Sequence, residues 1–316
     1  MTYRVQNNPQ TRASVITELV RLNYGENNSD TEAYTTEVSA DARFCPDTSE
    51  TAPLLVILHG FKAFARWGFF PYFGEYFAEQ GFLTITANFS LNGVPHRINP
   101  ESTVFAEPER FARNTISQEV RDAEALLYAA TRRTLGTGTA WNKSLQERWN
   151  GEIYLLAHSR GSATAWVVGE RFPEVRKIAA LGAIARLDRF TERAKVEWRK
   201  QGYFLAQTAR AGQELRMNHT YLEDIALHAQ ELEPLHTIRR VRQPVLLVHG
   251  QQDLTVPVRE AYQLFTTAQD VGCHVRWAAI PNASHTFGIT HPMTIEQAQT
   301  PTFRQLCSQL EVFFYE

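Results

Sequence analysis

The chain has 316 residues, 43% hydrophobic and 21% charged, which excludes a disordered tail. Lysine plus arginine total 32 and aspartate plus glutamate 34, a net charge of −2 that leaves no electrostatic footprint for nucleic acid or an anionic membrane. No apolar run approaches the ~20 residues of a membrane-spanning helix. The opening MTYRVQNNPQ lacks the apolar stretch of a signal peptide. Cys45, Cys273 and Cys307 are odd in number and widely spaced, so neither a disulfide framework nor a zinc site is expected. A cytoplasmic protein is the expectation.

In chain order, residues 1–53 are polar, and Tyr34–Phe44 alternates weakly. One or two antiparallel edge strands of the same domain are expected there. A rhythm then begins. Apolar runs at Leu54–His59, Phe82–Phe89, Glu152–His158, Lys177–Ala185, Pro244–His249 and Val275–Ile280 read as strands. Helical patterns at Trp67–Gln80, Glu109–Thr134, Ser162–Phe172, Val258–Ala268 and Thr302–Tyr315 lie between and after them. Continuous apolar strands separated by helices imply an α/β fold: a three-layer αβα arrangement with a mostly parallel sheet. Residues 54–185 and 241–316 would form its core. Residues 186–240 are charged and helix-like, and too long for a plain loop, so a helical cap insertion over the strand ends is expected.

In such sheets chemistry sits beyond the C-terminal ends of the strands. The sharpest signal there is Ala157-His158-Ser159-Arg160-Gly161, between a strand and a helix. It fits a small-x-Ser-x-Gly nucleophile turn, with alanine in the first small position. The bland alternative is a serine N-cap. A serine nucleophile needs a base, itself oriented by a carboxylate. Asp253 follows strand PVLLVHG and is the candidate acid; its plainer role would be a turn or cap. Asp188 is the rival. His285 follows strand VRWAAI and is the candidate base, against His274, which precedes that strand, and His291, which lies further along. Oxyanion donors are expected from the N–H groups of Phe61, after His59-Gly60, and Arg160. Nine aromatics lie between Phe61 and Phe77. Most should be helix-to-sheet packing, with Phe61, Phe64 and Trp67 as pocket candidates, joined by His158. Asn88, Ser90 and Asn92 could face the site or make turns. Lys62 and Arg160 could recognise an acidic substrate or be used in internal ion pairs.

HGF at 59–61, AHSRG at 157–161, HGQQD at 249–253 and NASH at 282–285 together resemble the α/β-hydrolase superfamily. The string HGFKAFARWGFFPYFGEYFAEQGF, then NFSLNGV, looks like its dienelactone-hydrolase and prolyl-oligopeptidase-like branch. The resemblance implies cleavage of an ester, lactone or amide through an acyl-enzyme, with no metal or organic cofactor and a small-molecule acyl substrate. Dienelactone hydrolases proper carry a cysteine nucleophile, so Ser159 argues against their substrate. The polar N-terminal 50 residues are too short for an oligopeptidase propeller. Serine ester hydrolysis is the leading expectation. Amide or peptide cleavage by the same mechanism is the first alternative, and a non-catalytic binding protein on this scaffold the second. The 186–240 segment could shape substrate access or form a homo-oligomer surface.

Overall fold

The computed structural model describes residues 14–25, 36–96, 104–207 and 212–316. The N-terminal decapeptide read above, and Tyr34 at the start of the expected edge strand, lie outside them. Ten strands occur among the described residues: β1 (Ile16–Tyr24), β2 (Thr36–Phe44), β3 (Ala52–Leu58), β4 (Leu83–Asn88), β5 (Trp149–His158), β6 (Val175–Leu181), β7 (Tyr203–Gln207), β8 (Glu214–Asn218), β9 (Val245–Gly250) and β10 (Val275–Ile280).

Eight of them form one sheet in the order β1-β2-β4-β3-β5-β6-β9-β10. The first two pairings are antiparallel and the other five parallel. Alternation of side chains along each strand builds two apolar layers. Leu55 and Ile57 of β3 face one cluster with Phe69, Phe73, Phe77, Phe303 and Leu310. Leu54, Val56 and Leu58 face the other, with Leu127, Trp141, Trp166 and Leu264. Both faces of the sheet are therefore covered, as the unbroken apolar runs required. The register holds the C-terminal strand ends level, with Leu58 beside Ala157, His158 beside Leu181, Leu181 beside Val248, and Gly250 beside Ile280.

Three elements differ from the sequence reading. The helix expected over 109–134 is two helices, Pro108–Ala112 and Ile116–Thr131. Thr115 restarts the second by accepting the Gln118 N–H on its side chain. A helix at Ala140–Arg148 was not expected; its mean hydropathy is low and its start is marked mainly by Thr139, whose side chain accepts the Asn142 N–H. Within 186–240 the helices Glu192–Gln201 and Thr220–Leu227 enclose an antiparallel pair, β7 and β8. Charged residues hide the period-two pattern that buries Ala206, Leu215 and Met217. Trp198 stacks on Tyr221 at 5.9 Å, and its Nε1–H donates to the Met217 carbonyl at 2.8 Å.

Arg148 ties the sheet's other end together. Its guanidinium donates to the carbonyls of Glu50, Cys45 and Gly81 at 3.1, 3.1 and 2.8 Å. Arg148→Met should lower unfolding stability by about 2 kcal/mol, because one buried and two partly buried carbonyl contacts lose a charge-assisted donor. Urea denaturation measures this; an unchanged midpoint contradicts it.

Candidate active site

Ser159 stands just beyond β5 with φ of +54°, in the left-handed region that side chains rarely adopt. Its N–H donates to the Leu181 carbonyl at 2.8 Å, fixing the turn to β6. The surroundings leave room only for glycine at position 161 and, in the facing loop, at position 60. A Cβ on Gly161 would lie 2.5 Å from the His59 carbonyl oxygen and 2.8 Å from that of Leu58. A Cβ on Gly60 would lie 2.9 Å from the Ser159 Cβ. Ala157 is fully buried, and its single methyl is accommodated where the motif has a first small residue.

Asp253 and His285 follow the C-terminal ends of β9 and β10. Their loops touch backbone to backbone: a Cβ on Gly250 would meet the Ala283 carbonyl oxygen at 2.4 Å. His285 Nδ1–H donates to Asp253 Oδ2 at 2.6 Å. His249 Nε2 lies 3.2 Å from the same oxygen. The N–H groups of Thr255 and Val256 donate to Asp253 Oδ1 at 2.9 and 2.8 Å. Burial alone would raise the pKa of this carboxyl, but the His249 and His285 hydrogen bonds outweigh it and hold the group well below the usual range. Asp253 is therefore a fixed anion facing the His285 ring.

Ser159 and His285 line one cavity of about 350 Å³. Among the described residues, no hydrogen bond joins the serine hydroxyl to the imidazole. Such contacts are often long in ligand-free sites and tighten around substrate. Among the described residues neither the Phe61 nor the Arg160 N–H has a hydrogen-bond acceptor. His59, directly before this loop, is locked as a neutral ring. Its Nδ1–H donates to the Gly60 carbonyl at 2.9 Å and its Nε2 accepts the Phe89 N–H at 3.3 Å. Burial lowers its pKa to about 4.

Phe64, Trp67 and His158 all line the cavity. His158 has a second role: its Nε2–H donates to the His285 carbonyl at 3.0 Å. Burial, and then the nearby His285, lower its pKa to about 3. The other aromatics of the 61–77 stretch mostly pack inside; Phe69, Phe70, Phe73 and Phe77 are buried. Asn88 and Asn92 make turns: Asn88 accepts the Ala65 N–H and donates to the Val94 carbonyl. Ser90 is bonded to Asp122. Arg160 is taken by an internal ion pair with buried Glu119, its guanidinium 4.5 Å from the Phe61 ring centroid. Lys62 donates to the Gln207 carbonyl at 2.8 Å.

Asp188 pairs with Lys195 at 2.6 Å. His274 precedes β10, at the opposite end from the cavity. His291 Nδ1 accepts the Gly68 N–H at 3.1 Å and its ring packs on Phe64. Sequence reasoning missed the far wall, which is formed by Ile184, Leu187, Phe190, Met217, Tyr221 and Val256. Most of these lie in or beside the 186–240 segment, where charge obscured any signal. Among the described residues no group of three or more His, Cys, Asp or Glu is placed to hold a metal ion.

Gly161→Val should destabilise the fold by about 3 kcal/mol through overpacking against two backbone carbonyls, read as a lower thermal midpoint. The buried histidines also set a pH dependence. His59 and His158 take up a proton near 6.5 when unfolded but only near 4 and 3 when folded. The unfolded state thus binds more protons in that window. Stability should be full above pH about 6.5 and fall by a few kcal/mol as pH drops toward 3. A urea midpoint that stays flat from neutral to acid pH would contradict this.

Comparison with known proteins identifies the fold. Residues 193–309 match the prolyl oligopeptidase family, Peptidase_S9. A stretch of 78 residues is 32% identical to the uncharacterized peptidase YuxL of Bacillus subtilis (strain 168), covering 24% of this chain and 12% of that protein. A putative hydrolase from Agrobacterium vitis S4 superposes with a TM-score of 0.62 at 14% identity, over 95% of this chain and 99% of that one. A putative dienelactone hydrolase from Klebsiella pneumoniae subsp. pneumoniae MGH 78578 does so with a TM-score of 0.57 at 10% identity, over 96% and 99%. The chain thus has the α/β-hydrolase fold and resembles the serine hydrolases of its dienelactone-hydrolase and prolyl-oligopeptidase-like branch.

Proposed function

We propose that this protein is a serine hydrolase that cleaves a carboxylic ester or lactone through an acyl-enzyme. The observation that carries the reading is the Asp253–His285 pair at 2.6 Å, opening on the same cavity as a serine held at positive φ. His285 Nε2 takes the Ser159 proton as the hydroxyl attacks the acyl carbonyl. Asp253 stabilises the imidazolium that forms. The N–H groups of Phe61 and Arg160 receive the oxyanion. The imidazolium then protonates the leaving alcohol. Water enters, His285 acts again as base, and the acid departs.

The walls favour an apolar acyl group. Phe61, Phe64, Trp67, Phe105, Phe190 and Tyr221 surround a volume of about 350 Å³. The cations near it are already engaged: Arg160 by Glu119, Arg189 by Glu260 and Lys62 by the Gln207 carbonyl. A second reading, amide or peptide cleavage by the same steps, is favoured by the prolyl oligopeptidase match over residues that include Asp253 and His285. A non-catalytic binding protein would have no use for a nucleophile turn and a paired base on one cavity.

Hydrolysis of p-nitrophenyl esters and aminoacyl p-nitroanilides distinguishes the readings. Short esters should turn over faster than anilides. Ser159→Ala should lower kcat by about 10⁴-fold or more, with the fold intact by circular dichroism. Retained turnover would show that another group is the nucleophile. A fluorophosphonate should label Ser159 covalently; a folded, unlabelled protein would support the binding-protein alternative.

A further inference from the structure

Asp253 faces two imidazoles, and the reaction above uses only one. His249 lies in β9, fully buried, its ring stacked beside Trp277 at 6.4 Å. Its Nε2–H donates to the Val256 carbonyl at 2.8 Å, and the same nitrogen lies 3.2 Å from Asp253 Oδ2. Both contacts are acceptors, so Nε2 carries the hydrogen. Its Nδ1 is buried and has no hydrogen-bond partner among the described residues.

A carboxylate offers about four acceptor directions, two on each oxygen. On Asp253, Oδ1 accepts the N–H groups of Thr255 and Val256. Oδ2 accepts His285 Nδ1–H at 2.6 Å and has His249 Nε2 3.2 Å away. The carboxylate therefore has a polar N–H neighbour on every side and cannot turn without losing a contact. The His249 contact closes the last direction that rotation or water could otherwise use. It also ties Val256, a cavity-wall residue, to the strand that carries the acid.

From this geometry we infer that His249 is a positioning residue for the proton-transfer pair: its Nε2–H sets the Asp253 carboxylate so that one lone pair of Oδ2 meets His285 Nδ1. The inference rests on the reading of Ser159, Asp253 and His285 given above. A plain core histidine would need only the Val256 carbonyl; the second acceptor on the carboxylate is what a positioning role adds.

The test uses the full chain as wild type, His249→Phe and His249→Gln. Phenylalanine keeps a buried ring and removes the donor. Glutamine keeps an N–H at similar reach. Four quantities are read: kcat, KM for a p-nitrophenyl ester, thermal midpoint, and the low-field proton resonance of the His285 Nδ1–H, assigned by its loss in His285→Ala. His249→Phe should lower kcat about tenfold through misplacement of the pair, leave KM within about twofold, and move the resonance. His249→Gln should recover most of kcat and return the resonance toward its wild-type position. A folded His249→Phe with wild-type kcat and an unmoved resonance overturns the inference, as does a glutamine variant equally damaged. If the phenylalanine variant does not fold, His249→Asn, whose shorter amide does not reach Asp253, takes its place with the same two outcomes. Ser159→Ala separates the two levels. Turnover retained there defeats the hydrolase reading, while the resonance still decides whether His249 acts on the pair. Turnover abolished there, with His249→Phe equal to wild type, defeats only the role of His249.

Discussion

Close backbone contact at the end of β5 governs the arrangement of this molecule. Ser159 adopts a left-handed conformation, and the chain on either side lies against Leu58, His59 and Gly60 with no side chain between. Distances set by main-chain van der Waals contact cannot drift as side chains repack. The first-strand loop, the serine and the start of the following helix are thereby one rigid piece. The Phe61 and Arg160 N–H groups inherit that rigidity, which is what an oxyanion site requires. Gly182 and Gly250 extend the same principle to the neighbouring strand ends, allowing the His285 ring and the Ala283 main chain to approach.

Electrostatics follow a complementary rule. The site is mostly apolar at its walls, and two of the cations close to it are paired locally, while Lys62 donates to a main-chain carbonyl. Arg160 is paired with Glu119 beneath the Phe61 ring, and Arg189 is held by Glu260. Asp253 differs: it is an anion that accepts three N–H groups, has a fourth 3.2 Å away, and is directed at the His285 imidazole. In water-poor surroundings such a fixed dipole and charge pattern has far more effect than it would in bulk solvent.

Much of this was legible in the sequence because it depends on local rules. Unbroken apolar runs such as PVLLVH report burial on both faces of a sheet, and β9 lies there. The order of Ser159, Asp253 and His285, each just past a strand, follows from parallel topology. The pairing of β7 with β8 was not legible, because Glu214 and Arg216 on the exposed face dominate the segment's composition. The helix Ala140–Arg148 was hidden by its polarity. His249-Gly250 reads as an ordinary strand ending. That its imidazole reaches the carboxylate four residues later depends on how the turn closes, and no spacing rule reports that closure. Arg160 could not be assigned to substrate or to an internal pair until Glu119, 41 positions away, was placed beside it.

The cavity's far wall rests on a separate aromatic stack. Phe190 and Tyr221 pack on Trp198, which is anchored to the Met217 carbonyl, and none of these groups belongs to the strand-end loops that carry Ser159, Asp253 and His285. This wall and the residues of the proposed proton-transfer line are thereby housed in different stretches of polypeptide. Substitutions at Met217 or Phe190 can resize the chamber while Ser159, Asp253 and His285 keep their alignment. On the proposed reading, a lineage, or a protein engineer, can explore new acyl groups on this scaffold by altering that wall alone.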